Sequence, residues 1–264
     1  TAKLLPGLIE PSLAALPISR RLRWGDGDVE FVRPIHWIVL LHGDEIITAS
    51  IMGIKTGNQS QGHRFHANGP ILIKNPSSYL RSLEKPGYVI ADLERCRKRV
   101  KDGVEAEARA VSGHVVNGDS LYDEVTSLVE WPVAMTGSFN EEFLELPRDV
   151  VISTLTKHQR YFPVADERGD LLPRFIAVAN IKSRDPVQVS AGNERVIRPR
   201  LADAAFFWDN DRRTTLAGRQ DALREVVYQR GLASLFDKCA RMSTLPGSLA
   251  PALALVPDAV SPSA

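Results

Sequence analysis

Cysteine is almost absent from this sequence of 264 residues, and long hydrophobic runs are missing altogether. The two cysteines, Cys96 and Cys239, are isolated, so they supply neither a disulfide framework nor a zinc knuckle. The longest strongly apolar stretch is residues 37–41, far below the ~20 residues that a membrane helix needs. The sequence therefore predicts a protein of the reducing cytoplasm that does not cross a membrane.

An excess of charge of either sign is also missing. Lys and Arg number 33 against 32 Asp and Glu, which leaves a formal net charge of +1. Any site for a polyanion must therefore come from local segregation of charge. The hydrophobic share of 44% and the charged share of 25% are typical of an ordinary globular protein. The length indicates one large or two modest domains.

The familiar motifs of nucleotide and hydrolytic chemistry are not present. There is no phosphate loop of the form GxxxxGK[ST], and no complete three-glycine dinucleotide fingerprint. His63 and His66 stand in a predicted loop, and two ligands fall short of a closed metal site. Ser153, His158 and Asp149 lie close together on one predicted helix without a nucleophile elbow. We therefore predict no catalytic residue, no metal and no cofactor in this chain.

Helices and strands are interspersed without the regular alternation of a doubly wound fold, which predicts an α+β protein with a mostly antiparallel sheet. Apolar spacing predicts helices over residues 3–16, 76–85, 92–111, 121–129 and 146–157, and again from residue 185. Strands are predicted at 37–41, 45–51, 71–73, 133–138, 161–165 and 175–180, whereas 55–69 is predicted to be a loop.

Three regions follow from this pattern. Residues 1–184 form an α+β region and residues 185–242 a helical segment. Residues 243–264 contain mostly Ala, Leu, Pro and Ser, so we expect a disordered or artefactual tail rather than a packed helix. The opening Thr1 suggests a cut inside a longer chain.

An ordered series of strings resembles the beta subunit of the bacterial two-subunit glycyl-tRNA synthetase. The resemblance covers most of the chain, from about residue 3 to Arg241. The strings are Phe31-Val32-Arg33-Pro34, Gly62-His63-Arg64-Phe65, Val89-Ile90-Ala91-Asp92, LVEWPV from Leu128, FLELP from Phe143, HQRYFPV from His158, LLPRFIAVANI from Leu171, Gly192-Asn193-Glu194-Arg195 and RPRLADAAFF from Arg198.

The resemblance implies a fold similar to the B3/B4 module of the phenylalanyl-tRNA synthetase beta subunit. It implies an alpha subunit partner that carries the glycine and ATP site and uses ATP and Mg²⁺. It further implies a heterotetramer of two alpha and two beta subunits that acts on tRNA(Gly). An amino-terminal portion of the family, and the HD-like and anticodon-binding regions that follow this segment, are not represented here.

Candidate tRNA-binding residues are basic side chains without an acidic neighbour in the sequence. Lys157, His158 and Arg160 have no Asp or Glu within four positions, and Tyr161 follows directly. Cations beside aromatic rings suit phosphates and unstacked bases. The alternative is that Tyr161 begins a core strand while the cations face water. Further candidates are Arg20, Arg21, Arg23 and Arg195. Arg198 and Arg200 are weaker, because Glu194 and Asp203 stand at helical pairing distance.

Three functions remain open for the segment. The first is tRNA docking and subunit assembly for glycyl-tRNA formation. The second is a purely structural interaction module. The third is a hydrolytic editing module, which has little to correct because glycine can be selected by exclusion.

Overall fold

The computed structural model describes residues 3–116 and 118–250, and the chain divides into two compact units, residues 1–200 and 201–264. The first unit mixes helices with antiparallel sheet, as the α+β prediction requires. Within the described residues, no helix combines the length and the apolar character needed to cross a bilayer. The domain limits predicted from the sequence stay a prediction.

The elements follow one another with short connections. The helices are α1 (Leu5–Ala14), α2 (Tyr79–Glu84), α3 (Leu93–Ala110), α4 (Asp119–Thr126), α5 (Arg148–Gln159), α6 (Pro186–Arg212) and α7 (Leu235–Leu249). The strands are β1 (Leu22–Arg23), β2 (Glu30–Phe31), β3 (Ile38–Val39), β4 (Leu41–His42), β5 (Glu45–Ile46), β6 (Ser50–Ile51), β7 (Ile54–Gly57), β8 (Gln59–Gln61), β9 (Pro70–Leu72), β10 (His114–Val115), β11 (Val133–Ser138), β12 (Phe162–Ala165) and β13 (Leu171–Ala179).

The main core of the first unit forms where α3 and α4 pack on a four-stranded antiparallel sheet of order β10-β12-β13-β11. The Asp92 carboxylate accepts from the Arg95 N–H and caps α3. Apolar residues at steps of four then place one face of α3 on the sheet. Val100, Val104 and Ala108 are almost fully buried there. The predicted helix over 92–111 and the predicted strand at 133–138 are confirmed.

A close approach in this sheet requires glycine. Gly137 of β11 stands opposite Phe175 of β13, and a Cβ at Gly137 would lie 2.4 Å from the Phe175 ring. The Tyr161 ring stacks on Phe175 at 4.6 Å between centroids. Phe175 is therefore held between the backbone of one neighbouring strand and an aromatic side chain.

Small sheets precede this core in the chain. The prediction of a loop over 55–69 is wrong for residues 55–57 and 59–61, which belong to β7 and β8. β7 pairs with β3 and β6, while β8 pairs with β9. Thr56 and Ser60 are buried polar residues, so the alternation of these strands does not show as hydrophobic periodicity. The Thr56 hydroxyl donates to the Ile47 carbonyl at 2.6 Å, which satisfies it inside the fold.

Two hairpins flank this region. β4 and β5 meet across Gly43-Asp44, which lies between the strands predicted at 37–41 and 45–51. The predicted strand over 45–51 is instead divided into β5 and β6. β6 and β7 then form a two-residue hairpin through Met52 and Gly53, whose φ angles of 52° and 76° are both left-handed.

In the second unit, α7 contradicts part of the expectation for residues 243–264. Its first turn carries a capping box, in which the Asp237 N–H donates to the Ser234 hydroxyl oxygen and the Ser234 N–H donates to the Asp237 carboxylate. The helix continues through Pro246 to Leu249, so residues 243–249 are helical rather than irregular. A helix that begins at a strong cap can run on through a sequence of weak local preference. The remainder of the predicted tail, residues 251–264, lies outside the described residues.

Candidate nucleic-acid interface

Three of the family-like strings meet around the buried side chain of His63. This residue is 2% exposed, and its Nε2 lies 2.6 Å from the carbonyl oxygen of Asn180, 117 positions further along the chain. The Phe65 N–H donates to His63 Nδ1, so the ring proton must be on Nε2, which donates to Asn180. Both ring nitrogens are therefore engaged.

Asn180 connects this loop to the segment that leads into β11. Its Oδ1 accepts from the backbone N–H groups of Glu130 and Trp131, at 2.8 and 2.9 Å. The sheet register explains the proximity, because Val133 of β11 pairs with Ala179 of β13. The end of β13 is thereby placed beside the start of β11.

The chain makes a tight contact at Gly62. The His63 N–H donates to the Gly87 carbonyl at 2.7 Å. A Cβ at Gly62 would lie 2.7 Å from that same carbonyl oxygen and 2.5 Å from the Ala67 Cβ. Glycine at position 62 is therefore needed for the loop to reach this site.

A row of rings extends from His63 towards the surface. The His66 ring lies 4.7 Å from that of His63 and 5.0 Å from that of Tyr88, and Tyr88 meets Trp131 edge to face at 5.2 Å. The Arg99 guanidinium stands 3.9 Å above the Trp131 ring. These contacts hold the loop that follows Gly62 in one position.

His66 is a hydrogen-bond acceptor in this arrangement. The Lys182 N–H donates to its Nε2 at 2.9 Å. Desolvation lowers the pKa of His66, and its electrostatic interactions with His63 and Lys182 lower that pKa further. The neutral ring is thus favoured.

His63 has no ring nitrogen left with which to bind a metal or to accept a proton. Both nitrogens of His63 are used in hydrogen bonds, and Nε2 of His66 accepts from the backbone. Across residues 3–116 and 118–250, no three His, Cys, Asp or Glu side chains are grouped in a way that could hold a metal ion. His63 stands in a loop, as predicted for residues 55–69, but its ring bonds to Asn180, which is 117 positions away.

This framework presents an exposed aromatic and two cations. Phe65 is 73% exposed, and the Arg64 guanidinium lies 5.8 Å from its ring centroid. Lys182 is exposed as well. In the described part of the chain, neither Arg64 nor Lys182 forms an ion pair. His66, the residue after Phe65, lines a cavity of about 380 Å³ together with Tyr88 and others.

Sequence reasoning did not select these residues, although a signal was present. Residues 46–83 contain no Asp or Glu, and neither do residues 171–184. A window of four positions on either side of a cation is too short to reveal this lack of acidic residues. Counting acids over longer windows would have indicated both segments as locally basic.

Of the predicted candidates at the end of α5, Lys157 and His158 are exposed, and neither forms an ion pair among the described residues. Arg160 does have an acidic partner. Its Nε lies 2.8 Å from the Glu124 carboxylate, 36 positions away. The apparent isolation of Arg160 in the sequence is therefore wrong in three dimensions, although its side chain remains 44% exposed.

Tyr161 is a core residue, as the alternative interpretation held. It is 6% exposed, its ring stacks on Phe175, and its hydroxyl donates to Asn193 Oδ1 at 2.7 Å. Burial raises the pKa of its phenol. Neither face of the ring is open to an RNA base, so Tyr161 is removed from the candidate list.

The amino-terminal arginines differ in their surroundings. Arg23 lies 3.5 Å from the Asp28 carboxylate, and Arg21 donates to the Ala14 carbonyl at 2.8 Å. The prediction that all three were uncompensated is thus wrong for Arg23. Arg20 is exposed, with no ion pair in the part of the chain that is described.

The arginines of α6 also depart from expectation. Glu194 accepts from the Ser138 N–H and hydroxyl at 2.8 and 2.7 Å, and it forms no ion pair with Arg198. Arg200 forms none with Asp203. Arg195, Arg198 and Arg200 are all exposed and carry no ion pair among residues 3–116 and 118–250. The predicted pairing of Arg198 with Glu194 and of Arg200 with Asp203 is therefore wrong.

A family profile and individual relatives of this chain all indicate the same protein family. The sequence profile described as glycyl-tRNA synthetase beta subunit matches residues 1–263. The chain is 49% identical to the glycine–tRNA ligase beta subunit of Hahella chejuensis over 250 residues, which is 95% of this chain and 36% of that protein. It is 46% identical to that of Marinobacter nauticus over 254 residues, which is 96% of this chain and 37% of that protein.

A third relative, the glycine–tRNA ligase beta subunit of Chromohalobacter salexigens, is 47% identical over 95% of this chain and 36% of its own length. The chain thus spans little more than a third of the curated relatives it matches. Because the profile covers nearly every residue, the chain belongs to the glycyl-tRNA synthetase beta subunit family.

Proposed function

We propose that this chain is a segment of a glycine–tRNA ligase beta subunit that supports tRNA binding and subunit assembly during glycyl-tRNA formation. The family match over residues 1–263 carries the proposal. The exposed cations without ion pairs support it, since phosphate contacts by Lys and Arg supply most of the affinity for nucleic acids.

The proposed complex divides the work between subunits. Glycine and ATP, with Mg²⁺, bind to a separate alpha subunit, and two alpha and two beta subunits assemble around tRNA(Gly) in the cytoplasm. The engagement of His63 and His66 in structural hydrogen bonds agrees with a supporting role for this segment. A likeness of the α+β unit to the B3/B4 module of phenylalanyl-tRNA synthetase is part of the same proposal.

A reconstitution experiment tests the division of labour. The full-length beta subunit, the alpha subunit, their mixture and the isolated 264-residue chain are each assayed for ATP-dependent glycyl-tRNA formation. We expect activity from the mixture and none from the 264-residue chain. Glycylation by the isolated chain would contradict the proposal, and so would a mixture that binds tRNA no better than the alpha subunit does.

Lys157 provides a test of tRNA contact at the end of α5, because it is exposed and forms no ion pair among the described residues, whereas Arg160 is paired with Glu124. If Lys157 neutralises one phosphate, Lys157→Ala in the assembled enzyme should lower the slope of log affinity against log salt by about 0.7 to 0.9. The matched control is Arg168→Ala, which also removes one exposed cation, but one that lies near Asp166. A slope for Lys157→Ala equal to that of the wild type would show that Lys157 does not contact tRNA.

A further inference from the structure

We propose that the loop after Gly62 binds an unpaired nucleotide of RNA, with Phe65 as the stacking platform and Arg64 and Lys182 as the phosphate-neutralising cations. This inference rests on the proposed function and identifies where within the segment a tRNA strand makes contact.

The first support is that Phe65 is exposed on a constrained framework. Its own N–H is held by His63 Nδ1, and the next ring, His66, accepts from the Lys182 N–H. At 73% exposure, the Phe65 ring has a face that is accessible to a stacking partner. Because the backbone is already ordered, stacking a base on Phe65 requires little further loss of conformational freedom.

The second support is the sign of the local charge. Among residues 3–116 and 118–250, neither Arg64 nor Lys182 has an ion-pair partner, and the segments that carry them, 46–83 and 171–184, contain no acidic residue. The nearest acid in sequence, Asp185, accepts from the Gln188 N–H in the first turn of α6. A cationic surface around an exposed aromatic suits a polyanion that has its own planar rings.

The third support is a recess at the next residue of the loop. The cavity of about 380 Å³ is lined by His66, which follows Phe65 in the chain, and by Tyr88, Gly69 and Pro70, among others. Among the described residues that line it, two carry aromatic rings and none carries a carboxylate. A splayed base requires such a recess, since single-stranded RNA is recognised through stacking on aromatic side chains.

The test uses the full-length beta subunit assembled with its alpha subunit, and tRNA(Gly) as the probe. Phe65→Ala should weaken tRNA binding by roughly 5- to 150-fold, the range that one lost base stack produces. Phe65→Trp should retain affinity, because indole offers an equal or larger stacking face. Phe65 is exposed, so both variants are expected to fold, and their thermal transitions should match that of the wild type.

The cations are tested separately. Arg64→Gln with Lys182→Gln should reduce the salt slope by about 1.4 if both contact phosphates of a single strand. The matched control, Lys98→Gln with Arg109→Gln, removes two exposed cations of α3 that pair with Asp102 and Glu105. We expect its slope to equal that of the wild type.

Each alternative outcome is decisive. Wild-type affinity in Phe65→Ala overturns the inference and leaves the proposed function intact. An equal loss of slope in the α3 control also overturns it, since the effect would then reflect net charge. Loss of the alpha–beta complex on size exclusion in Phe65→Ala identifies a protein interface instead. If the wild-type complex binds tRNA no better than the alpha subunit, the proposed function fails as well.

Discussion

The imidazole of His63 donates a hydrogen bond to the carbonyl oxygen of Asn180, and this bond joins the loop after Gly62 to the end of the central sheet. The side chain is 2% exposed, so water cannot replace the bond if it is lost. Burial of an unsatisfied carbonyl costs about 1–3 kcal/mol.

We therefore expect His63→Ala to lower the free energy of unfolding by at least that amount, with a fall in melting temperature of roughly 2–4 °C per kcal/mol for a chain of this size. Thermal unfolding followed by tryptophan fluorescence measures the effect. The exposed His42→Ala serves as the control. A melting temperature equal to that of the wild type would contradict the structural role.

At position 180, another side chain with an acceptor oxygen should preserve stability, whereas an apolar side chain should not. Asn180→Ala removes the acceptor for the Glu130 and Trp131 N–H groups and is expected to cost about 1–3 kcal/mol. Asn180→Asp keeps an oxygen at the same position and should be much milder. Denaturant titration of the two variants compares them, and equal losses would show that the acceptor is unimportant.

The lowered pKa of His66 predicts a pH-dependent contribution to stability. The unfolded chain takes up a proton near the ordinary histidine pKa of about 6.5, whereas the folded chain does so only at lower pH. The stabilising contribution is therefore complete above that value and is lost as the pH falls towards the folded pKa.

Denaturant unfolding measured from pH 7.5 to pH 5 tests this expectation. The free energy of unfolding should fall more steeply in the wild type than in His66→Gln, which cannot titrate. Parallel curves for the two proteins would contradict it.

Tyr161 should contribute to stability and not to RNA affinity. Tyr161→Phe removes the hydrogen bond to Asn193 while keeping the ring that stacks on Phe175, and should cost about 1 kcal/mol. In a double-mutant cycle with Asn193→Ala, the double variant should lose less unfolding free energy than the sum of the two single losses, because both substitutions remove the same hydrogen bond. A drop in tRNA affinity without a change in stability would restore Tyr161 as a contact residue.

Helices and strands were predictable where the spacing of apolar residues in the sequence matches the repeat of the helix or strand. The apolar positions at steps of four in α3, and its Asp92 cap, indicate the helix before any partner is known. The α5 helix and the β12–β13 hairpin follow in the same way from the sequence, since each depends on interactions between near neighbours. Family membership was equally accessible, because the order of its strings is a property of the sequence alone.

Contacts between distant segments were not predictable in this way. Strands β7 and β8 were missed because their buried positions hold Thr56 and Ser60, which only the folded chain can satisfy. Arg160 appeared unpaired because Glu124 lies outside any local window. In each case the partner that determines the residue's role is brought near by the packing of other elements.

The composition, the helix and strand periods and the family strings of this protein therefore follow from its sequence. Which ring is buried, which cation is paired and which aromatic is exposed follow from its fold. Tyr161 and Phe65 are both aromatic residues beside an arginine, yet one stacks in the core and the other faces solvent. Sheet register and non-local hydrogen bonds separate them, because burial and charge pairing depend on distances in space rather than on separation along the chain.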